Sequence, residues 1–195
     1  MPIPAESLAA KDGVGTCDTR SVLEPAQVGE RRTEAIPLRP EPNDIRHLFA
    51  STMEVMRQQA QAKDVTIEVR VDPALPALVT FDTEKIAWAV TTLVGNALRH
   101  VRSGSRHLPG GAISVEVSRA GAAEMSIEVQ DDGSGIPAAK LPFLFRRAPG
   151  LPHAAGLALM LIHDIVAAHG GSVDVKSSTE AFDHGTTVRL VLPLR

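Results

Sequence analysis

From residue 43 to the C-terminus, the apolar positions of the chain follow two different periods. Spacings of three and four residues predict amphipathic helices, and residue-by-residue alternation predicts half-buried strands. A run that is apolar on most sides starts at Gly156 and predicts a third, well-buried helix that stops at Gly170. The predicted helices are Asn43–Lys63, Asp82–Val101 and Leu157–Ala168, with a short helix within Ala138–Phe145. The predicted strands are Val65–Val71, Leu78–Phe81, Ile113–Ser118, Met125–Asp131, Ser172–Ser177 and Thr186–Pro193.

The order of these elements predicts the fold class. Helix, strand and helix come first, followed by strands joined through short turns and by one further helix. Hairpin links with a single helical layer are typical of an α+β protein. We therefore expect a two-layer α/β sandwich, in which helices cover one face of a mixed, mostly antiparallel sheet. Residues 1–42 are rich in proline and glycine and have few periodic apolar positions, so we expect a disordered tail before one domain at 43–195.

The strand predicted at Met125–Asp131 ends on a carboxylate that shares a face with apolar residues. Because alternate side chains of a strand share a face, Asp131 points the same way as Val129. A buried carboxylate is costly without hydrogen-bond donors, and Gly133 and Gly135 allow a close approach of the backbone to a ligand. These features indicate a pocket for a ligand with a polar edge. An ordinary Asp-Gly turn, which is common in loops, explains the same residues.

A row of polar residues lies beside the apolar stripe of the second predicted helix. Asn96 is four residues from both Thr92 and His100 and three from Arg99, so these side chains lie on one side of the helix. The row fits a simple solvent-exposed surface, and it equally fits one wall of a polar pocket. In a pocket, an amide oxygen and a cation would suit a metal-phosphate ligand.

Composition narrows the classes of partner. The chain has 195 residues and a net charge of −3, which gives no case for a polyanion-binding surface. Aromatic residues make up 3% and tyrosine is absent, which argues against stacking platforms for nucleic acid. The single cysteine, Cys17, excludes an internal disulfide. This sequence shows neither a signal peptide nor an apolar run of membrane-spanning length, so we expect a cytoplasmic chain without membrane contact.

Several stretches resemble, in the correct order, the motifs of the GHKL (Bergerat-fold) ATPase superfamily, which includes DNA gyrase B, heat-shock chaperones, MutL and sensor histidine kinases. The resemblance covers about Pro42–Arg195. The matching stretches are Leu93–His100 for the N box, Asp131–Pro137 for the G1 box, Leu141–Phe145 for the F box, Gly156–Leu159 for the G2 box, and Gly185–Thr187 for the start of the closing strand. The His169–Gly171 stretch and the leading segment Arg39–Leu48 are most similar to the histidine-kinase branch.

The resemblance implies ATP and Mg²⁺ as ligands, and it implies roles at the adenine end of the site. Asp131 is expected to accept a hydrogen bond from the adenine amino group. Gly133, Gly135 and Ile136 are expected to lie against the base. Thr186 is expected to help hold the same edge of the adenine, partly through water.

The resemblance also implies roles at the phosphate end. Asn96 is expected to supply an oxygen to Mg²⁺, which usually takes few protein ligands. Arg99 and His100 are expected to face phosphate oxygens, so that Asn96 and Arg99 are the candidate catalytic residues. Gly156 and Leu157 begin a helix whose N-terminal amides are expected to bind phosphate. The preceding segment, Leu141–Ala155, is expected to form the ATP lid.

Departures from the family pattern keep three functions open. Thr92 stands where many members have a second Asn, and Ala154 and Ala158 stand where the G2 box usually has glycines. The sequence shows no match to the phospho-acceptor hairpin of a histidine kinase. The leading hypothesis is a protein-histidine kinase domain that phosphorylates a histidine on a separate segment or partner chain in two-component signalling, with a response regulator as a further partner and a homodimer compatible with it. The alternatives are an anti-sigma-type serine kinase or switch protein, and a non-catalytic nucleotide- or protein-binding regulator.

Overall fold

The computed structural model describes residues 36–145 and 154–195. The strands are β1 (Glu41–Asp44), β2 (Thr66–Val71), β3 (Leu78–Phe81), β4 (Ala112–Arg119), β5 (Glu124–Asp131), β6 (Ser172–Glu180) and β7 (Asp183–Pro193). The helices are α1 (Ile45–Gln61), α2 (Thr83–His100) and α3 (Ala154–Ala168), with a 3₁₀ helix at Ala138–Phe143. Apart from β1, which the apolar pattern does not predict and which takes in Asn43 and Asp44, the described elements agree in kind and order with the predicted ones.

The described strands form two sheets. The larger has the order β2-β4-β5-β7-β6, in which β2 and β4 are parallel and the other pairs are antiparallel. The smaller is the antiparallel pair β1-β3. Alternation along β5 and β7 places apolar residues such as Ile127 and Leu190 in the core, whereas Gln130 on the opposite face is exposed. The helices cover the apolar face, so the predicted α+β sandwich with a mixed sheet is confirmed.

Helix α2 presents its apolar stripe to the core and has Asp82 as its N-cap. The Asp82 carboxylate accepts a hydrogen bond from the Lys85 amide at 3.1 Å, which satisfies one of the free amides of the first turn. The helix ends on Arg99 and His100, and cations there complement the helix dipole. The buried stripe consists of Ile86, Ala89, Val90, Leu93, Val94, Ala97 and Leu98.

A buried histidine connects α2 to α3. The Asp82 amide donates to Nε2 of His169 at 3.0 Å, and Nδ1 of the same ring lies 2.8 Å from the Ile165 carbonyl. Since Nε2 accepts, Nδ1 carries the proton and donates. The contact joins the C-terminal end of α3 to the N-terminal end of α2, so the two helices, which pack together, run antiparallel.

The Asp82 side chain also holds the segment that leads into the domain. Its Oδ2 accepts from Lys85 Nζ and from the Arg39 amide, each at 2.8 Å. Burial acts to raise the pKa of Asp82, but the hydrogen bonds from Lys85 and Arg39 outweigh it, and the pKa is lowered. The predicted boundary after residue 42 falls inside β1, because this segment pairs with β3. Residues 1–35 lie outside the described part of the chain.

Helix α3 differs from its prediction in two respects. It begins at Ala154, so Gly156 lies in its first turn and not at its first position. The expectation that it is well buried holds for one side, where Ile162 and Val166 are inaccessible, and is wrong for the side with Leu157 and Leu161, which are 44% and 43% exposed. Helix α3 packs against α2, β6 and β7, which cover only one of its sides. No helix within residues 36–145 and 154–195 is long and apolar enough to cross a membrane.

Candidate nucleotide-binding site

Asp131 ends β5 directly opposite Thr186 of β7. Its Oδ1 accepts a hydrogen bond from the Gly133 amide at 2.9 Å, which supplies part of the donor requirement of a half-buried carboxylate. Burial raises the pKa of Asp131, and the Gly133 amide and the nearby charge of His100 oppose the rise without cancelling it. A carboxylate offers about four lone-pair positions. Asp131 therefore retains acceptor capacity for a ligand.

The glycines after Asp131 are required by close packing. A Cβ on Gly133 would lie 2.7 Å from Asp131 Oδ1 and 2.8 Å from the His100 carbonyl oxygen. Gly135 has a φ of +70°, and its Cβ would lie 1.8 Å from the carbonyl oxygen of Ser178. Residues 132–136, which we name the adenine loop after the ligand that the resemblance implies, are therefore packed tightly between the end of α2 and β6. This packing excludes an ordinary surface Asp-Gly turn.

Two side chains of the β6–β7 hairpin hold the adenine loop, and sequence reasoning missed both. His184 Nδ1 lies 2.8 Å from the Gly133 carbonyl oxygen, and Ser177 Oγ accepts from the Ile136 amide at 2.8 Å. Ser177 Oγ also lies 2.9 Å from Oγ1 of Thr186. Strand alternation could have revealed His184, because polar side chains at even positions of β7 lie on the same face as its buried apolar residues.

Asp132, the second carboxylate of the motif, has a structural role. Its Oδ1 accepts from the Ala112 amide at 2.9 Å, and its own amide donates to the Ala112 carbonyl at 3.2 Å. These bonds continue the pairing of β4 and β5 by one residue. Asp131 and Asp132 thus have different roles, and of the two only Asp131 lies on the core side of the sheet.

The polar row on α2 leads away from the adenine loop. Thr92 and Asn96 are half-buried, whereas Arg99 and His100 are exposed. Because the His100 carbonyl touches Gly133, Asn96 stands one turn, about 6 Å, farther along the helix axis. The Arg99 guanidinium donates to Oδ1 of Asn96. Among the predicted phosphate-end residues, the structure therefore brings Asn96 and Arg99 into direct contact.

The first turn of α3 reaches the same level as Asn96. Gly156 precedes His169 by 13 residues and Asn96 follows Asp82 by 14, and at 1.5 Å per residue both separations are about 20 Å. Since His169 and Asp82 are in contact and the helices are antiparallel, the amides at the start of α3 approach the Asn96 end of α2. Leu157 on this turn is largely exposed.

The predicted lid is only partly described. Leu141 is buried and Phe145 is half-buried, with its ring centroid 5.7 Å from that of His163 on α3. Residues 146–153, which form most of the predicted lid, lie outside the described residues. The stem of the lid on the Leu141 side is therefore packed against the domain, and the expected lid role itself stays a prediction.

Comparison with known proteins identifies the class. The profile of the histidine kinase-, DNA gyrase B- and HSP90-like ATPase family, HATPase_c, matches residues 81–195. The chain belongs to this ATPase family, as its motifs indicate. The matched range contains every site residue assigned above, from Asn96 to Thr186.

Within the family, the similar proteins are sensor histidine kinases. Sensor histidine kinase ZraS of Escherichia coli is 29% identical over 156 residues, which is 77% of this chain and 30% of that protein. The structure of the mycobacterial sensor histidine kinase MprB has a TM-score of 0.64 at 27% identity and covers 80% of this chain and 97% of that one. Full-length ShkA in complex with AMPPNP has a TM-score of 0.69 at 24% identity, over 82% of this chain and 32% of that one, and supports the fold alone.

The chain is thus an ATPase catalytic domain of the histidine-kinase type. It spans less than a third of the length of these curated relatives: 30% of ZraS and 16% of the sensor protein TorS of Escherichia coli.

Proposed function

We propose that the chain binds Mg·ATP and transfers the γ-phosphoryl group to a histidine on a separate segment or partner chain, as part of two-component signalling. One observation carries the proposal. Asp131 presents a half-buried carboxylate, with acceptor capacity left over, beside a loop whose glycines are packed against the end of α2 and against β6. A ligand that brings a hydrogen-bond donor on a flat apolar ring satisfies this arrangement, and adenine is such a ligand.

At the adenine end, Asp131 accepts from the exocyclic amino group of the base. The base lies against the backbone of Gly133, Gly135 and Ile136, which the close packing of the two glycines holds beside Asp131. Thr186, directly opposite Asp131 in the sheet, contributes its hydroxyl to the same edge. The pairing of β5 with β7 fixes the distance between these two polar groups, so the recognition edge is part of the sheet and is rigid.

At the phosphate end, the residue types fit a magnesium site that is completed by phosphate. Among the described residues, no three His, Cys, Asp or Glu side chains cluster as metal ligands. Mg²⁺ in such sites takes one or two protein oxygens and fills its shell with phosphate and water, and the half-buried Asn96 supplies an amide oxygen. When bound, the ion offsets negative charge on the phosphates. Arg99 must first release Oδ1 of Asn96, and its guanidinium is then free for a phosphate oxygen.

The reaction moves one phosphoryl group. The bond between the γ-phosphorus and the bridging oxygen breaks, a bond to an imidazole nitrogen of the acceptor forms, ADP leaves, and the imidazole loses its proton. Such a transfer depends chiefly on positioning and on offsetting charge. In this chain, Arg99 supplies a cationic side chain, and the His100 ring and the amides of the α3 first turn, including Gly156 and Leu157, supply hydrogen-bond donors.

One observation favours a non-catalytic regulator as the second candidate. The Asn96 oxygen is engaged by Arg99, and alanines replace two glycines around Gly156. We expect a domain with these features to bind adenine but to position the phosphates poorly for transfer. No contact in the described part of the chain specifically favours the anti-sigma-type serine kinase, and the similar proteins named above are sensor histidine kinases.

A transfer assay decides between these candidates. The 195-residue chain is mixed with Mg²⁺, ATP labelled at the γ-phosphate and a separate helical hairpin that carries a phospho-accepting histidine. The proposal predicts acid-labile, alkali-stable label on the hairpin, which is the behaviour of a phosphoramidate. ATP binding without transfer to any hairpin supports the regulator, and label on serine supports the anti-sigma-type kinase.

A further inference from the structure

The β6–β7 hairpin provides contacts to the adenine loop that the ATPase motifs do not include. Its register pairs Ser177 with Thr186 and Thr179 with His184, around a two-residue turn at Ala181–Phe182. Thr186 faces Asp131, and His184 and Ser177 lie on the same face of the sheet as Thr186. Their side chains therefore approach the loop from beneath.

His184 holds Gly133, the second residue of the loop. A carbonyl oxygen can only accept, so the 2.8 Å contact with Gly133 means that Nδ1 of His184 carries a proton and donates. The Gly133 amide in turn donates to Oδ1 of Asp131. The two bonds lie on either side of the Gly133 Cα. Together the two hydrogen bonds restrain Gly133, which as a glycine has wide backbone freedom.

Ser177 holds the other end of the loop, and its hydrogen bonds assign the proton of Thr186. Ser177 Oγ donates to the Gly185 carbonyl at 2.7 Å, which uses its only proton. It accepts from the Ile136 amide at 2.8 Å. At 2.9 Å from Thr186 Oγ1 it must then accept again, so the Thr186 hydroxyl donates to Ser177.

The edge of the pocket formed by Asp131 and Thr186 therefore presents only hydrogen-bond acceptors to the base. With its proton committed to Ser177, Thr186 offers lone pairs to the pocket, as Asp131 does. Two acceptors suit the amino group of adenine and a bridging water, and they repel the carbonyl oxygen that guanine has at the same position. If Ser177 were lost, Thr186 would be free to rotate and donate, and Asp131 alone would disfavour guanine.

We propose that Ser177 and His184 are positioning residues for base recognition, with Ser177 setting the preference for adenine over guanine through the proton of Thr186. The inference rests on the proposed nucleotide site and adds to it two residues and a basis for base specificity. It requires no movement and no group beyond those in the chain.

The test measures dissociation constants of the full chain for Mg·ATP and Mg·GTP, together with the melting temperature. For Ser177→Ala we expect ATP binding to weaken about tenfold, since the half-buried Ile136 amide and Gly185 carbonyl each lose a hydrogen bond, while GTP binding stays within about twofold, so that discrimination falls about fivefold or more. Ser172→Ala is the matched control, an exposed serine at the far end of the same strand, and it should match the wild type. A merely structural role would weaken both nucleotides equally.

The role of His184 is tested with a variant that should restore the hydrogen bond. His184→Ala should weaken ATP binding about fivefold, the usual value of one hydrogen bond, and His184→Asn should restore it because its amide nitrogen can replace Nδ1 as the donor. His107→Ala, in an exposed loop, is the control. If the wild type binds no nucleotide, the proposed function itself fails. If the wild type binds ATP but Ser177→Ala keeps its discrimination, or if alanine and asparagine at position 184 behave alike, this inference alone is overturned.

Discussion

Replacing Asp131 with asparagine separates the cost of burying its charge from its use in binding. Oδ1 already accepts from the Gly133 amide at 2.9 Å, so the asparagine oxygen takes over that bond. The NH₂ group then occupies the position of Oδ2 and faces the amino group of adenine, donor against donor. The opposite rotamer places NH₂ against the Gly133 amide instead. Either orientation leaves one donor without its acceptor.

The magnitude follows from the kind of bond that is lost. A hydrogen bond to a charged group contributes about 1.5–3 kcal/mol, and an unsatisfied donor adds to the loss. We expect a loss of about 3 kcal/mol, which is a weakening of about a hundredfold in Kd for ATP. Stability should change in the other direction. Because burial raises the pKa of Asp131, the charged form is disfavoured in the folded protein, and the neutral amide removes that cost.

Calorimetric titration with Mg·ATP and a thermal melt measure the two effects on the same sample. Asp132→Asn is the matched control, since Asp132 is adjacent, and its oxygen can continue to accept from the Ala112 amide. It should bind ATP within about twofold of the wild type. Equal ATP affinity in Asp131→Asn and Asp132→Asn would refute the adenine assignment. A large loss of stability in Asp131→Asn would show that the carboxylate serves the fold.

Four further predictions concern Asp131, Asn96, His169 and Asp82. ATP affinity should fall on acidification, because adenine needs the ionised carboxylate and the raised pKa of Asp131 brings its protonation to a higher pH than for an ordinary aspartate; Asp131→Asn should lack this part of the pH profile in calorimetry. Asn96→Ala should weaken ATP binding more with Mg²⁺ than with EDTA, and equal losses would exclude a metal-ligand role. His169→Phe should lower stability in urea by about 2 kcal/mol, because it leaves the buried Asp82 amide without an acceptor, with ATP affinity nearly unchanged. Since the pKa of Asp82 is lowered in the folded state, its contribution to stability is complete above the unfolded-state pKa and should be lost as the pH falls through the folded-state pKa.

The elements of the fold were predictable where local chemistry decides them. Alternation identified β5 and the inward carboxylate of Asp131, and Asp44 and Asp82 cap the helices that the spacing predicts. The ends of the strands were less predictable. β1 carries no periodic signal of its own and exists because β3 pairs with it. The β6–β7 hairpin extends past Ser177 because cross-strand bonds continue to Glu180 and Asp183.

The motif residues of the proposed site could be named from the sequence, whereas the residues that support the loop could not. The roles of Asn96, Asp131 and the loop glycines in nucleotide binding stay predictions. His184 and Ser177 contact loop residues 51 and 41 positions away, and the His169–Asp82 contact spans 87 positions. No local pattern reveals such partners, since a polar residue at a strand end is usually solvated. Only the sheet register brings them beneath the loop.

Amide shifts on addition of Mg·ATP test the central claim most directly. In ¹H–¹⁵N spectra of the 195-residue chain, saturable shifts should concentrate at Gly133, Gly135 and Thr186 and extend along α2 to Asn96, whereas outer-face residues such as Glu116 should not respond. GTP at the same concentration should produce smaller changes. Shifts confined to other regions, or none at saturating ATP, would contradict an adenine nucleotide site at Asp131.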